Sequence, residues 1–333
     1  MPSLTGHANE HVMSRADHDI FDRALLTRLR DRFAAAASAH DFLWADVVED
    51  LADRVSLIRR TFPVVVNLGA AHGLLSRRLR GLPGIDLVID VDAAPRLLAQ
   101  CDGPRVLASE ELLPFKSGSL DLVVSGLSLQ FVNDLPGALV QIRRALKPDG
   151  LFLGAMLGGA TLHELRTALV EAEAEIEGGA SPRVAPFADV RDLGGLLQRA
   201  GFTLPVADAD VITVGYANAL DLMRELRAMG AANVLHERRR TFLRRATLMR
   251  AAEIYAGRYS RPDGRITATF EVITLTGWAP HPSQQKPLKP GAAGKRLAAA
   301  LGVAERPAGD QAGPDATVSG GARSATADPP VRK

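Results

Sequence analysis

The chain has 333 residues, 47% of them apolar, which is enough for one large packed domain or two small ones. A formal net charge of only +2 excludes bulk electrostatic attraction to nucleic acid. The single cysteine, Cys101, excludes an intrachain disulfide and a multi-cysteine zinc site, and fits a reducing compartment.

In chain order, residues 1–18 read as a flexible N-terminus. They have no signal-peptide apolar core and they carry acids that a transit peptide avoids, so the expectation is a soluble, cytoplasmic protein. Residues 19–60 form a basic helical extension with Phe21, Leu25, Leu29 and Phe33 on one face. From residue 61 to 280 short apolar runs alternate with amphipathic helices, the signature of an α/β domain. Strands are expected at residues 64–68, 87–91, 106–108, 120–125 and 151–155, each too apolar for a sheet with one wet face, and a closing pair at 206–214 and 266–278. The segment LPGALVQIRRALKPDG predicts a helix with Leu135, Leu139, Ile142 and Leu146 on one side, stopped at Pro148-Asp149-Gly150. Residues 217–260 read as a basic helical insertion whose arginines form a solvated face. Residues 281–333 contain no aromatic residue and seven of the twenty prolines, which predicts a disordered tail. The longest uncharged stretch, residues 150–162, is too short and glycine-rich to span a bilayer.

Chemistry concentrates where the first strand ends. In VVVNLGAAHGLLSRRL the small residues Gly69, Ala71 and Gly73 stand two and four apart, whereas a dinucleotide loop places its third glycine where Leu74 stands. The observed spacing is that of S-adenosyl-L-methionine (SAM) loops, in which small residues let backbone amides approach a ligand at a helix N-terminus. A small-residue turn of this kind also occurs as a plain tight turn. Asp92 closes the second strand, where a carboxylate can accept both ribose hydroxyls; Asp90 or Asp92 could instead cap the helix that starts near Pro95.

The ordered set LPFKSGSLDLVVSGLSLQFVNDLP, QIRRALKPDGLFLGAMLGGATLHELR and SPRVAPFADVRDLGGLLQRAGF, flanked by FDRAL and ATFEVITLTGWAPHPSQ, resembles the class I SAM-dependent methyltransferases. More narrowly, from Phe21 to Pro287 it is similar to the family of mitochondrial complex I assembly factor five and its bacterial relatives. The resemblance implies a Rossmann-like α/β fold of seven strands with SAM as cofactor. It also implies a role in assembling respiratory complex I, through a protein substrate such as a peripheral-arm subunit, with no nucleic acid and with any membrane contact peripheral to the inner membrane. The mitochondrial member is regarded as an arginine hydroxylase.

Mapped onto the superfamily pattern, the cofactor positions are Asn67, Gly69, Ala71, Gly73, Asp92, Ser109, Glu110 and Ser125. Asn67 stands where an acid is usual, Ala71 where a glycine is usual, and Ser109 where an adenine-contacting acid is usual, with Glu110 and Glu111 adjacent. Gln130-Phe131 replaces an aromatic pair. No catalytic residue is assigned, because aligning a nucleophile with the sulfonium methyl supplies most of the acceleration. His18, His40, His72, His163 and His236 are scattered, so no metal set is assigned; His72 reads as a local cap or a substrate-side contact. The segment EGGASPRVAPFADV is open between a substrate lid hinged at Gly178-Gly179, with Arg183 meeting substrate, and a plain connector. The leading functional expectation is a SAM-binding methyltransferase-superfamily enzyme acting on a protein of respiratory complex I; the alternatives are an arginine hydroxylase on the same fold, a non-catalytic assembly chaperone and, more distantly, a methyltransferase for a quinone or acyl substrate.

Overall fold

The computed structural model describes residues 19–285; the readings for residues 1–18 and for 286–333 lie outside it. Helix α1 (Arg23–Phe33) is capped by Asp22, whose carboxylate accepts the Leu25 amide, and runs into a 3-10 turn at Ala34–Ala39 and then helix α2 (Phe42–Leu57). The next elements are β1 (Val64–Leu68), α3 (Leu74–Leu79), β2 (Leu87–Asp92), α4 (Pro95–Leu98), β3 (Arg105–Leu107) and β4 (Leu120–Gly126). They are followed by α5 (Leu135–Ala145), β5 (Leu146–Leu157), α6 (His163–Glu177), α7 (Val190–Arg199), β6 (Thr203–Tyr216), α8 (Ala219–Ala228), α9 (Arg245–Tyr259) and β7 (Ile266–Trp278).

The strands form one seven-stranded sheet in the order β3-β2-β1-β4-β5-β7-β6, parallel except for β7, which runs antiparallel to β5 and β6. That is the Rossmann-like class I methyltransferase arrangement. Alternate β1 residues face opposite cores, Val65 toward α2 and α3 and Val66 toward α5 and α7, which is why the buried strands read as unbroken apolar runs. The chain reverses direction across the sheet between β1 and β4, and a doubly wound sheet opens a ligand crevice at the carboxyl ends of its strands at that point.

Several elements differ from the sequence pattern, and β5 and β6 extend beyond the runs expected at 151–155 and 206–214. Helix α5 ends at Ala145 and Leu146 already begins β5, because Pro148 disfavours helical backbone at the residue before it. The basic insertion is not one helical run. Gly230, at φ +77°, follows the end of α8, and α9 restarts only at Arg245. The outer strand β6 carries two acids, the half-buried Asp208 and the exposed Asp210, which discourage edge-to-edge pairing with another chain. Just past β7, Gln284 donates to Asp149 Oδ1 at 2.9 Å and accepts from Thr203 Oγ1 at 2.7 Å, tying the chain after the sheet back onto it.

Candidate functional site

The loop after β1 is folded by three positive-φ residues, Gly69 (φ +73°), Ala71 (+50°) and Gly73 (+79°). At Gly69 the small side is obligatory, since a Cβ there would lie 2.1 Å from Ser128 Oγ. The amides of Gly69 and Ala70 both donate to the Val91 carbonyl of β2. The Ala71 amide donates to Asp92 Oδ2 at 2.8 Å, while Asp92 Oδ1 accepts the Ala94 amide at 2.8 Å. The Ala71 methyl packs against Ala34, Ala94 and Leu97, so the extra carbon where a glycine is usual is used as core.

The two acids of β2 part company. Asp90 points under the loop to Arg80 Nη2 (2.8 Å) and to Ser76 Oγ, and is wholly buried. Asn67 joins that cluster, its Nδ2 donating to Ser76 Oγ (2.9 Å) and to Asp90 Oδ1 (3.3 Å). Asn67 and Asp90 are direct partners in the β1/β2 register, so a neutral amide stands where a second carboxylate would face the first. Asp92 alone serves the loop.

Asp92, Ser109 and Glu110 are brought together, and what joins them is helix α1. Arg30 Nη2 lies 3.0 Å from Asp92 Oδ2, and its Nη1 lies 4.0 Å from Glu110 Oε1. Arg23 pairs with Glu110 Oε2, donates to Ser109 Oγ at 3.2 Å and to the Phe131 carbonyl at 3.2 Å. Ser128 Oγ donates to Glu110 Oε1. Burial pushes the Asp92 carboxyl up, only partly opposed by Arg30 and reinforced by Glu110. Burial also works against the charged form of Glu110, but Arg23, Arg30 and Ser128 outweigh it and hold that carboxyl below its ordinary value. Ser125 Oγ, fully buried at the end of β4, has no hydrogen-bond partner among the described residues. Sequence reasoning missed Arg23 and Arg30; the signal is their spacing of two helical turns, which sets both on one face of α1.

Beside the loop is a cavity of about 380 Å³ with a mainly apolar lining, to which Leu26, Trp44, Leu97, Leu162, Met223 and Phe270 contribute. Its wall also carries polar and charged groups, including Arg30, His40, Asp41, His72, Gln130 and Arg227. His72, buried, has Nε2 3.1 Å from Asp41 Oδ2. Gln130, also buried, donates from Nε2 to the Leu127 carbonyl at 2.8 Å, and its Oε1 has no partner among the described residues. Val184, Ala185 and Phe187 of the candidate lid segment line the cavity as well; Arg183 lines it but spends its guanidinium on Glu173, with Nε at 2.9 Å from Oε1. Phe131 stands edge-on to Phe21 at 5.7 Å, which seats the start of α1. A larger, open depression of about 740 Å³ lies between the end of α2 and the turn before β2; it is lined by Arg59, Arg60, Phe62 and Ile85 and holds no acid.

The site residues therefore fit a SAM-like ligand: a tight amide-bearing loop, a carboxylate at the end of β2, acids and hydroxyls at β3 and β4, and an unpartnered Ser125 hydroxyl. They do not offer a metal set, since no group of three or more His, Cys, Asp or Glu side chains among the described residues is placed to hold an ion.

Comparison with known proteins agrees with the architecture. Residues 66–154 match a general methyltransferase domain family. The chain is 41% identical over 286 residues to the arginine hydroxylase NDUFAF5 of Danio rerio, named as mitochondrial, covering 84% of this chain and 89% of that one. It is 43% identical over 282 residues to the protein of the same name from Homo sapiens, covering 83% and 81%. A malonyl-[acyl-carrier protein] O-methyltransferase of Halorhodospira halophila is 35% identical over 274 residues, covering 80% and 91%. Among solved structures, the YcgJ protein of a Bacillus species superposes with a TM-score of 0.51 at 12% identity, covering 71% of this chain and 99% of that one, which speaks to the fold alone. The cytoplasmic expectation is corrected by the NDUFAF5 relatives, which are named as mitochondrial. Among the described residues no helix is long and apolar enough to cross a membrane.

Proposed function

The chain belongs to the family of the mitochondrial arginine hydroxylases NDUFAF5, and from that membership we propose a SAM-binding enzyme that modifies a peripheral-arm subunit of respiratory complex I during its assembly. The observation that carries the cofactor part is the bond from the Ala71 amide to Asp92 Oδ2. It fixes the loop and the β2 carboxylate in one unit at the switch point of the sheet. In this reading the small residues Gly69, Ala71 and Gly73 let the loop backbone approach the methionine end of the cofactor, and Asp92 accepts the ribose hydroxyls. Ser109, Glu110 and Ser125 line the adenine side, and Asn67 supports the loop from below through Ser76 and Asp90. The bound cofactor supplies an electrophilic methyl on sulfur. The protein supplies position, a dry apolar wall and a place for the departing proton.

We read residues 61–280 as the catalytic domain. The 19–60 extension and the 217–260 insertion add Leu26, Trp44 and Met223 to the cavity wall, a size suited to one side chain of a protein substrate. Methyl transfer is the chemistry that the loop and cavity support; oxygen insertion at arginine is the second reading, supported by identity above 40% to proteins named as arginine hydroxylases. The test is calorimetric titration with SAM, followed by mass analysis of the peripheral-arm subunit incubated with protein and cofactor. A methyl increment supports the first reading, an oxygen increment the second, and no SAM binding removes the first.

A further inference from the structure

Asp41 occupies the N-cap position of α2 yet makes no capping bond. An aspartate there ordinarily accepts an amide of the first turn, so the carboxylate has been turned to another use. Its Oδ2 faces His72 Nε2 at 3.1 Å instead. His72 is held in turn from the other side of the loop. Its carbonyl accepts Arg77 Nη1 at 2.9 Å, and the preceding residue, Ala71, is bonded to Asp92. The Trp44 ring, 6.3 Å away and tilted by 40°, borders the imidazole. With Nε2 donating to the carboxylate, the other ring nitrogen, Nδ1, carries the lone pair, and among the described residues it makes no hydrogen bond. Both residues line the cavity, where the Gln130 Oε1 acceptor is also unpartnered although the side chain is buried.

We propose that His72, oriented by Asp41, is the proton acceptor for the substrate nucleophile at the mouth of the cofactor cleft, with Gln130 Oε1 receiving a hydrogen bond from the same substrate group. The inference rests on the methyl-transfer reading and names the substrate class: an N–H or O–H nucleophile on an apolar stem. As the bond from the substrate heteroatom to the methyl carbon forms, the methyl–sulfur bond of the sulfonium donor breaks and sulfur keeps the electron pair. The proton on the heteroatom passes to His72 Nδ1, and the resulting imidazolium is stabilised by the Asp41 carboxylate.

The electrostatics are compatible with a base at neutral pH. Burial lowers the His72 basicity below the ordinary histidine value; the Asp41 charge opposes this and Arg77 adds to it. The charges that act on the ring are Asp41 from α2 and Arg77 from α3, and the other titratable or cationic groups on the same cavity wall include His40, Arg30, Arg183 and Arg227.

The full chain, SAM and the peripheral-arm subunit provide the test, with kcat/KM followed from about pH 5 to about pH 9. Wild-type protein should show an acid limb of unit slope. His72→Gln should lose roughly a hundredfold or more in rate and lose the limb, with SAM affinity unchanged within about twofold. Asp41→Asn should move the limb to lower pH, because the charge that supports the protonated ring is gone; this arm decides the matter if His72→Gln fails to fold. Nitrogen-15 spectra of wild-type protein should show the proton on Nε2 and a bare Nδ1. A methylated wild-type product with the limb in place in both variants overturns the inference alone. Absence of methyl transfer by wild-type protein that still binds SAM overturns the methyl-transfer reading and the inference with it.

Discussion

Arg30 Nη2 sits 3.0 Å from Asp92 Oδ2, so a helix from the N-terminal extension holds the carboxylate proposed above to accept the ribose hydroxyls. Entry of cofactor at Asp92 therefore exchanges one partner for another. Arg30→Met should tighten SAM binding several-fold and lower the stability of the ligand-free protein by about 1–3 kcal/mol, since a buried carboxylate loses its cation. Calorimetry and thermal melting with and without SAM measure both. Weaker binding would instead make Arg30 a ligand of the cofactor.

Glu110 gives a pH-dependent stability of defined sign. Its folded carboxyl is held below the ordinary value, with the burial penalty outweighed by Arg23 and Arg30. It therefore contributes stability above the unfolded pKa, and loses it as pH falls through the lowered folded pKa. Glu110→Gln should be less stable than wild type by about 3 kcal/mol at pH 7, because Arg23 is left unpaired. The two denaturation midpoints should converge in acid, below the ordinary glutamate range. Parallel curves at every pH would show that the ion pair is not the source.

Asn67→Asp restores the residue usual in the superfamily and should nonetheless harm this protein. The new carboxylate would face Asp90 across the β1/β2 register, and the donor to Asp90 Oδ1 would be lost. A loss of about 2 kcal/mol and no gain in SAM affinity are expected, read by urea denaturation and calorimetry. Tighter SAM binding by this variant would mean that position 67 reaches the cofactor after all.

Gly69→Ala should abolish cofactor binding, because its Cβ would lie 2.1 Å from Ser128 Oγ and 2.2 Å from Ser128 Cβ, on top of backbone strain at φ +73°. The double variant with Ser128→Gly should recover part of the binding, whereas the one with Ser128→Ala should not, since the second clash is with Cβ itself. Equal behaviour of the two doubles would show that the strain, not the contact, is limiting.

Much of this architecture is carried by local pattern. Expected boundaries of β1 and of β7 coincide with the structure, because a buried strand must be apolar on both faces and a small-residue turn must follow β1. The early end of α5 was also encoded, in Pro148, but the apolar stripe continuing to Leu146 masked it. Asp92 and the loop residues were legible for the same reason: strand, turn and helix are contiguous, and the spacing of Gly69, Ala71 and Gly73 reports the turn directly.

What the sequence determined by itself, then, is the doubly wound α/β frame, the loop after β1 and the acid at the end of β2, since each follows from propensities and periodicities acting over a few residues. Tertiary structure decided which groups those acids meet. Arg30 reaches Asp92 across 62 positions of chain, and Asp41 reaches His72 across 31. Asn67 meets Asp90 only through strand register. Such pairings depend on where a helix lands when its apolar face finds the core, and charges brought together in that way leave no periodic trace in the chain.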